Sequence, residues 1–215
     1  MTPIALFISG GGGNALNLLE ACRDGRIPAS PVVAVSSSSK ALGVERLRAA
    51  GLPVEVILRS RFEGDAPFSE ACFAVAERAG ARVICLCGWL KRLCIPAAWE
   101  GRILNIHPAL LPAYGGEGMY GMHVHRAVLE AAEARSGATV HLVDNEYDRG
   151  PILDQECVPV LIQVSEGNLP AYIGFARNIA AEAPLGRVRR HHCIARVPGC
   201  LIVFVKHPAT RGDCS

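Results

Sequence analysis

Short apolar runs at residues 4–8, 31–35, 53–58 and 83–86 alternate with segments whose apolar side chains recur three and four positions apart. The first pattern fits strands, and the second puts apolar groups on one face of a helix. Phe68, Ala71, Cys72, Val75, Ala76 and Ala79 mark such a face. Val83-Ile84-Cys85-Leu86 contains no polar residue, as expected of a strand covered on both faces of a parallel sheet. Strand and helix alternate to about residue 135, which predicts right-handed βαβ units. The expected fold is therefore α/β and Rossmann-like, a mostly parallel twisted sheet with helices on both faces.

A chain of 215 residues, 50% of them hydrophobic, is long enough to bury a full core in one domain. Its longest apolar run is far short of a membrane span. Met1-Thr2-Pro3-Ile4 lacks the basic-then-apolar order of a secretory leader, so a cytoplasmic protein without a membrane partner is expected. The formal charge of +2 lies too near balance for nucleic acid as a partner. Nine cysteines in such a chain are expected to be reduced, and their odd number argues against a complete disulfide framework.

Two stretches carry candidate chemistry. Asn105-Ile106-His107-Pro108-Ala109-Leu110-Leu111-Pro112 follows the apolar pair Ile103-Leu104, so it reads as a buried strand opening into a loop. Asn105 and His107, two apart, share a strand face, and the prolines at 108 and 112 stiffen the exit. An amide donor and a titratable imidazole then stand together at a strand end, where open α/β sheets place their chemistry. Alone, these eight residues more readily describe a turn with a stray histidine. The second stretch, SGATVHLVDNEYDRGP at 136–151, shifts that balance. Residues 139–143 alternate like a strand, and Asp144, Asn145, Glu146 and Asp148 crowd the loop before Gly150-Pro151. A carboxylate from that loop can orient or charge His107, the pairing that tunes histidine for proton transfer.

A glycine-rich loop, Ser9-Gly10-Gly11-Gly12-Gly13-Asn14, joins the first strand to the first helix. Backbone N–H groups there can approach an anion at the helix N-terminus. A tight βα turn also needs glycine for its own reasons, and a dinucleotide fingerprint has a similar look.

Together, the two chemical stretches closely resemble the catalytic core of the phosphoribosylglycinamide formyltransferase (glycinamide ribonucleotide transformylase) family. That family shows Asn-Ile-His-Pro-Ser-Leu-Leu-Pro, then Gly-x-Thr/Ser-Val-His-Phe-Val, then an acidic loop whose last Asp precedes Gly-Pro. The resemblance implies a Rossmann-like formyltransferase fold with Asn105, His107 and Asp148 as its catalytic trio. Asp148 rather than Asp144 matches, standing two residues before Gly150. Substrate-phosphate contacts are implied for Gly12, Gly13 and Asn14, with Gly13 in place of the usual Ser, a loss of roughly one hydrogen bond or a kcal/mol. Cys87-Gly88-Trp89-Leu90-Lys91-Arg92-Leu93 resembles the family's Ala-Gly-Phe/Tyr-Met-Arg-Ile-Leu. Folate contacts are implied for Trp89, Leu90, Lys91 and Leu93, and for Val143 and Asp144. Trp89 taken singly also fits a strand end packed in the core, and Lys91 lacks the bidentate fork of the usual Arg.

The activity so implied is transfer of a formyl group from the co-substrate 10-formyltetrahydrofolate to the amine of glycinamide ribonucleotide, in purine biosynthesis. Asn105 and a protonated His107 would stabilise the tetrahedral oxyanion, with Asp148 keeping the imidazolium populated. The implied partners are these small molecules, in a monomer or homodimer. His123 and His125, with His107 and His141, invite a zinc site; the glycine-rich loop before a helix explains the run as well, and no metal is expected. Formyltetrahydrofolate deformylase passes the formyl group to water but carries an extra N-terminal domain, and methionyl-tRNA formyltransferase needs a second, basic C-terminal domain. A catalytically weakened folate- or nucleotide-binding homologue is the alternative from another class.

The likeness covers about residues 3–161, which predicts a catalytic domain over 1–161 and a divergent extension over 162–215. Glu182 is a candidate for the family's substrate-holding Glu. Prolines at 170, 184, 198 and 208 and six Arg or Lys against one acid beyond residue 184 suit a loosely packed or self-associating segment. The apolar run at 200–205 is expected to add an edge strand or promote aggregation.

Overall fold

The alternation of apolar runs becomes β1 (Thr2–Ile8), α1 (Gly13–Arg23), β2 (Ala29–Ser36), α2 (Leu42–Ala49), β3 (Val54–Val56), α3 (Asp65–Arg78) and β4 (Val83–Leu86). β5 (Ile103–His107), α4 (Met122–Glu130), β6 (Arg135–Leu142) and β7 (Ile152–Pro159) follow. This computed structural model describes residues 1–160, 192–197 and 200–205. Seven strands form one sheet in the order β3-β2-β1-β4-β5-β6-β7. The strands from β1 to β5 are parallel, β6 runs antiparallel to β5, and β7 antiparallel to β6.

Period-two alternation divides β1 between two cores. Ile4, Leu6 and Ile8 pack with Leu19, Val44 and Leu47 on the α1–α2 side. Ala5 and Phe7 pack with Phe68, Phe73, Ile84 and Ile103 on the α3 side. All five residues from Ile4 to Ile8 are fully buried, and each large side chain so removed from water contributes about 1.5–3 kcal/mol. The strand order reverses between β1 and β4, and at such a switch point the carboxyl ends of the strands leave a crevice.

Between β4 and β5 the expected alternation fails. Residues 87–102 form no α-helix, only a 3₁₀ turn at Ala97–Trp99. Gly88 and Gly101 take left-handed backbones at φ 79° and 67°, and Pro96 stands before the turn. Leu93, Ile95 and Trp99 drop into the second core and cover the sheet as a helix does elsewhere. The strand expected at 53–58 is trimmed to β3 and passes into a 3₁₀ turn at Arg59–Arg61.

The apolar run at 200–205 forms β9 (Cys200–Val205), paired antiparallel with β8 (His192–Val197) in a two-stranded sheet of its own. The boundary expected at 161, and Glu182, lie outside the described residues.

Gly150 makes the closest backbone approach bearing on the crevice. A Cβ there would lie 1.9 Å from the carbonyl oxygen of Leu142, while the Leu142 N–H donates to Pro151 at 2.9 Å. Gly150→Ala should therefore destabilise the chain by about 1–3 kcal/mol, read as a thermal midpoint several degrees lower. An unchanged midpoint contradicts this packing.

Candidate active site

β5 carries Asn105 and His107 to the crevice on one strand face, and both line a cavity of about 610 Å³. The antiparallel register sets Asn105 opposite His141 and His107 opposite Thr139. Thr139 pins the stiff exit loop, its hydroxyl donating to the Ala109 carbonyl at 2.6 Å and accepting from the Leu111 N–H at 3.0 Å. The Asn105 amide nitrogen lies 3.0 Å from His141 Nε2.

Asp148 enters from the loop between β6 and β7. Its Oδ2 accepts from the Gly116 N–H at 3.1 Å and lies 3.4 Å from His107 Nδ1. Its Oδ1 lies 3.5 Å from both Asn105 Nδ2 and His141 Nε2. His107 Nε2 donates to the Tyr114 carbonyl at 2.8 Å. Asp148 holds a left-handed backbone, φ 54°, a conformation that aspartate tolerates better than most residues and that surrounding contacts must maintain.

Burial drives the pKa of His107 below the ordinary 6.5, and His141 adds to that, while the charge of Asp148 and the Tyr114 carbonyl oppose it. The resting ring is therefore neutral at neutral pH. This corrects the expectation of a protonated His107: desolvation of a ring only 3% exposed outweighs a carboxylate 3.4 Å away. Both ring nitrogens nevertheless face acceptors, so a proton arriving during turnover finds its stabilising partners in place. For Asp148, burial alone would raise the pKa; the contact with His141, the charge of His107 and the Gly116 N–H outweigh it and hold the carboxyl below 3.8.

Trp89, Leu90, Lys91, Leu93, Val143 and Asp144 all line the same cavity, as does Asn14. Trp89 belongs to the core as well, stacked on Phe68 with centroids 5.9 Å apart and tilted on Phe7 at 5.1 Å. Leu90 and Lys91 are exposed and Leu93 is buried. Gly12 is buried at the head of α1 with φ 71°, and a Cβ there would meet the Gly43 Cα at 2.8 Å. Gly13 is exposed, with open space around it. Sequence reasoning weighed His141 only as a zinc ligand, not as a neighbour of Asn105, and missed the backbone groups of Tyr114 and Gly116. The alternation at 139–143 placed His141 on a face, but only the pairing of β5 with β6 brings it to Asn105.

Among the described residues, no group of three or more His, Cys, Asp or Glu side chains is arranged to hold a metal. Burial pushes the thiols up, Cys22 to about 11 and Cys72 and Cys87 to about 12, so these three are poor nucleophiles.

The family model described as formyl transferase matches residues 2–179. The chain belongs to the formyl transferase family. It is 41% identical over 161 residues to the chloroplastic phosphoribosylglycinamide formyltransferase of Arabidopsis thaliana, covering 74% of this chain and 55% of that one. With the Escherichia coli phosphoribosylglycinamide formyltransferase it shares 33% identity over 172 residues, 79% of each chain. The chain thus spans about half the length of the plant relative and more of the bacterial one. The structure of glycinamide ribonucleotide transformylase 1 from Symbiobacterium toebii superimposes with a TM-score of 0.75 at 34% identity, over 83% of this chain and 84% of that one. No described helix is long and apolar enough to cross a membrane.

The two lowered values set the acid response of the fold. Where folded values lie below unfolded ones, the unfolded chain binds more protons and stability drops as pH falls. The contribution of His107 is complete above 6.5 and lost as pH falls through its lowered folded value; that of Asp148 follows below 3.8. The thermal midpoint should decline on acidification below 6.5, and His107→Gln should flatten the first part of the decline. A midpoint that rises over that range contradicts the assignment.

Proposed function

We propose that this formyl transferase moves the formyl group of 10-formyltetrahydrofolate onto the amine of glycinamide ribonucleotide. The observation that carries the reading is the set Asn105, His107 and Asp148 on one cavity wall, with His107 buried and Asp148 3.4 Å from it and 3.5 Å from Asn105. The plant and bacterial relatives, both phosphoribosylglycinamide formyltransferases, support the acceptor and the group transferred.

The amine attacks the formyl carbon, a C–N bond forms, and the carbonyl oxygen becomes an oxyanion. The Asn105 amide donates to that oxyanion, a contribution of about 3 kcal/mol for a well-placed donor. His107, neutral at rest, takes the proton released by the amine and becomes an imidazolium held between Asp148 and the Tyr114 carbonyl. The same proton, carried through water, neutralises the folate nitrogen as its bond to the formyl carbon breaks. No covalent enzyme intermediate is needed. The apolar wall formed by Trp89, Leu93 and Val143 receives the pterin, with Leu90, Lys91 and Asp144 completing the folate contacts. Gly12, Gly13 and Asn14 receive the substrate phosphate at the head of α1, where the helix dipole favours negative charge.

Gly13→Val is the cleanest test of that division, because Gly13 has open space around it whereas Gly12 does not. In a steady-state formyl-transfer assay it should raise KM for the ribonucleotide several-fold and leave KM for the folate nearly unchanged. The opposite pattern reassigns the loop, and a parent chain without transfer sinks the reading.

A further inference from the structure

We infer that His141 is a positioning residue: as its Nδ1–H tautomer it accepts a hydrogen bond from Asn105 and so fixes which end of that amide faces the reaction. The geometry stands independently, while the kinetic consequence rests on the formyl-transfer reading above.

His141 is 1% exposed, and its Nδ1 lies 2.9 Å from the Leu142 carbonyl. A carbonyl only accepts, so Nδ1 carries the hydrogen, and in the neutral ring Nε2 carries the lone pair. Two groups approach that lone pair, Asn105 Nδ2 at 3.0 Å and Asp148 Oδ1 at 3.5 Å. The shorter contact is within hydrogen-bond range and the longer is not. The Asn105 nitrogen, not its oxygen, therefore faces His141. The second Nδ2 hydrogen is left toward Asp148 Oδ1, again at 3.5 Å. So loose a contact leaves that hydrogen available to a developing oxyanion. Without an acceptor at residue 141, nothing in this pair distinguishes the two ends of the Asn105 amide.

The same turn that delivers Asp148 sets this tautomer. The chain at Gly150 packs against the Leu142 carbonyl so tightly that a Cβ would lie 1.9 Å from its oxygen. The Leu142 N–H is tied to Pro151 at 2.9 Å. The carbonyl that orders His141 is thus clamped by the residues following Asp148.

Nitrogen-15 NMR of the histidine side chains in the full chain at neutral pH tests the tautomer directly. His141 should show a protonated Nδ1 and an unprotonated Nε2; a protonated Nε2, in either the other tautomer or the imidazolium, overturns the inference. Steady-state transfer by His141→Leu and His141→Gln tests the consequence. The Leu variant should lose about tenfold or more in kcat with both KM values within about twofold, the signature of an interaction made in the transition state. The Gln variant, whose amide oxygen can accept from Asn105, should recover part of that loss. A Leu variant within about twofold of the parent in kcat, or equal losses in folded Leu and Gln variants, refutes the positioning role. A parent chain inactive in transfer defeats the proposed function instead, and the NMR result then decides the present inference alone.

Discussion

One partly buried carboxylate holds the site together. The Asp148 side chain, 12% exposed, lies between two histidines, an asparagine amide and the Gly116 N–H. Burying an ionised carboxylate costs several kcal/mol unless donors surround it, and those donors, the Asn105 amide and the Gly116 N–H, come from β5 and the loop after it. The carboxylate therefore stays charged only if these separate segments converge. The left-handed backbone at Asp148 and the close approach at Gly150 are what bring it there.

The position of this convergence follows from the sheet. The strands from β1 to β5 run parallel and end at the crevice, whereas β6 returns antiparallel. An antiparallel neighbour puts side chains directly opposite one another, so His141 meets Asn105 across the ladder. Trp89 stacks in the core behind the cavity, and its indole nitrogen is buried with no partner among the described residues. Such surroundings keep His107 neutral until a proton is delivered, and they strengthen every donor aimed at an oxyanion.

Much of this was legible in the sequence where the signal is local. Continuous apolar runs gave β1 and β4, and period two placed Asn105 and His107 on one face. Residues 87–102 misled because Leu93, Ile95 and Trp99 bury at irregular spacing from a loop, which no period reveals. The choice of Asp148 over Asp144 came from resemblance, not spacing. In the structure Asp148 stands beside His107, whereas Asp144 accepts from the Glu146 N–H at 2.9 Å within its own turn. The protonation of His107 was misjudged because adjacency to a carboxylate can be guessed from sequence, whereas the depth of burial cannot. His141 needed the strand pairing, and the constraint on Gly12 needed Gly43, a neighbour on α2.

The fate of a carbon-13 formyl group supplied on 10-formyltetrahydrofolate, in the presence of glycinamide ribonucleotide, tests the central claim most directly. The label should appear as the formyl amide of the ribonucleotide in the parent chain and be retained on the folate in folded His107→Ala. Label released as formate by the parent, or transferred by His107→Ala within about tenfold of the parental rate, contradicts formyl transfer through this set.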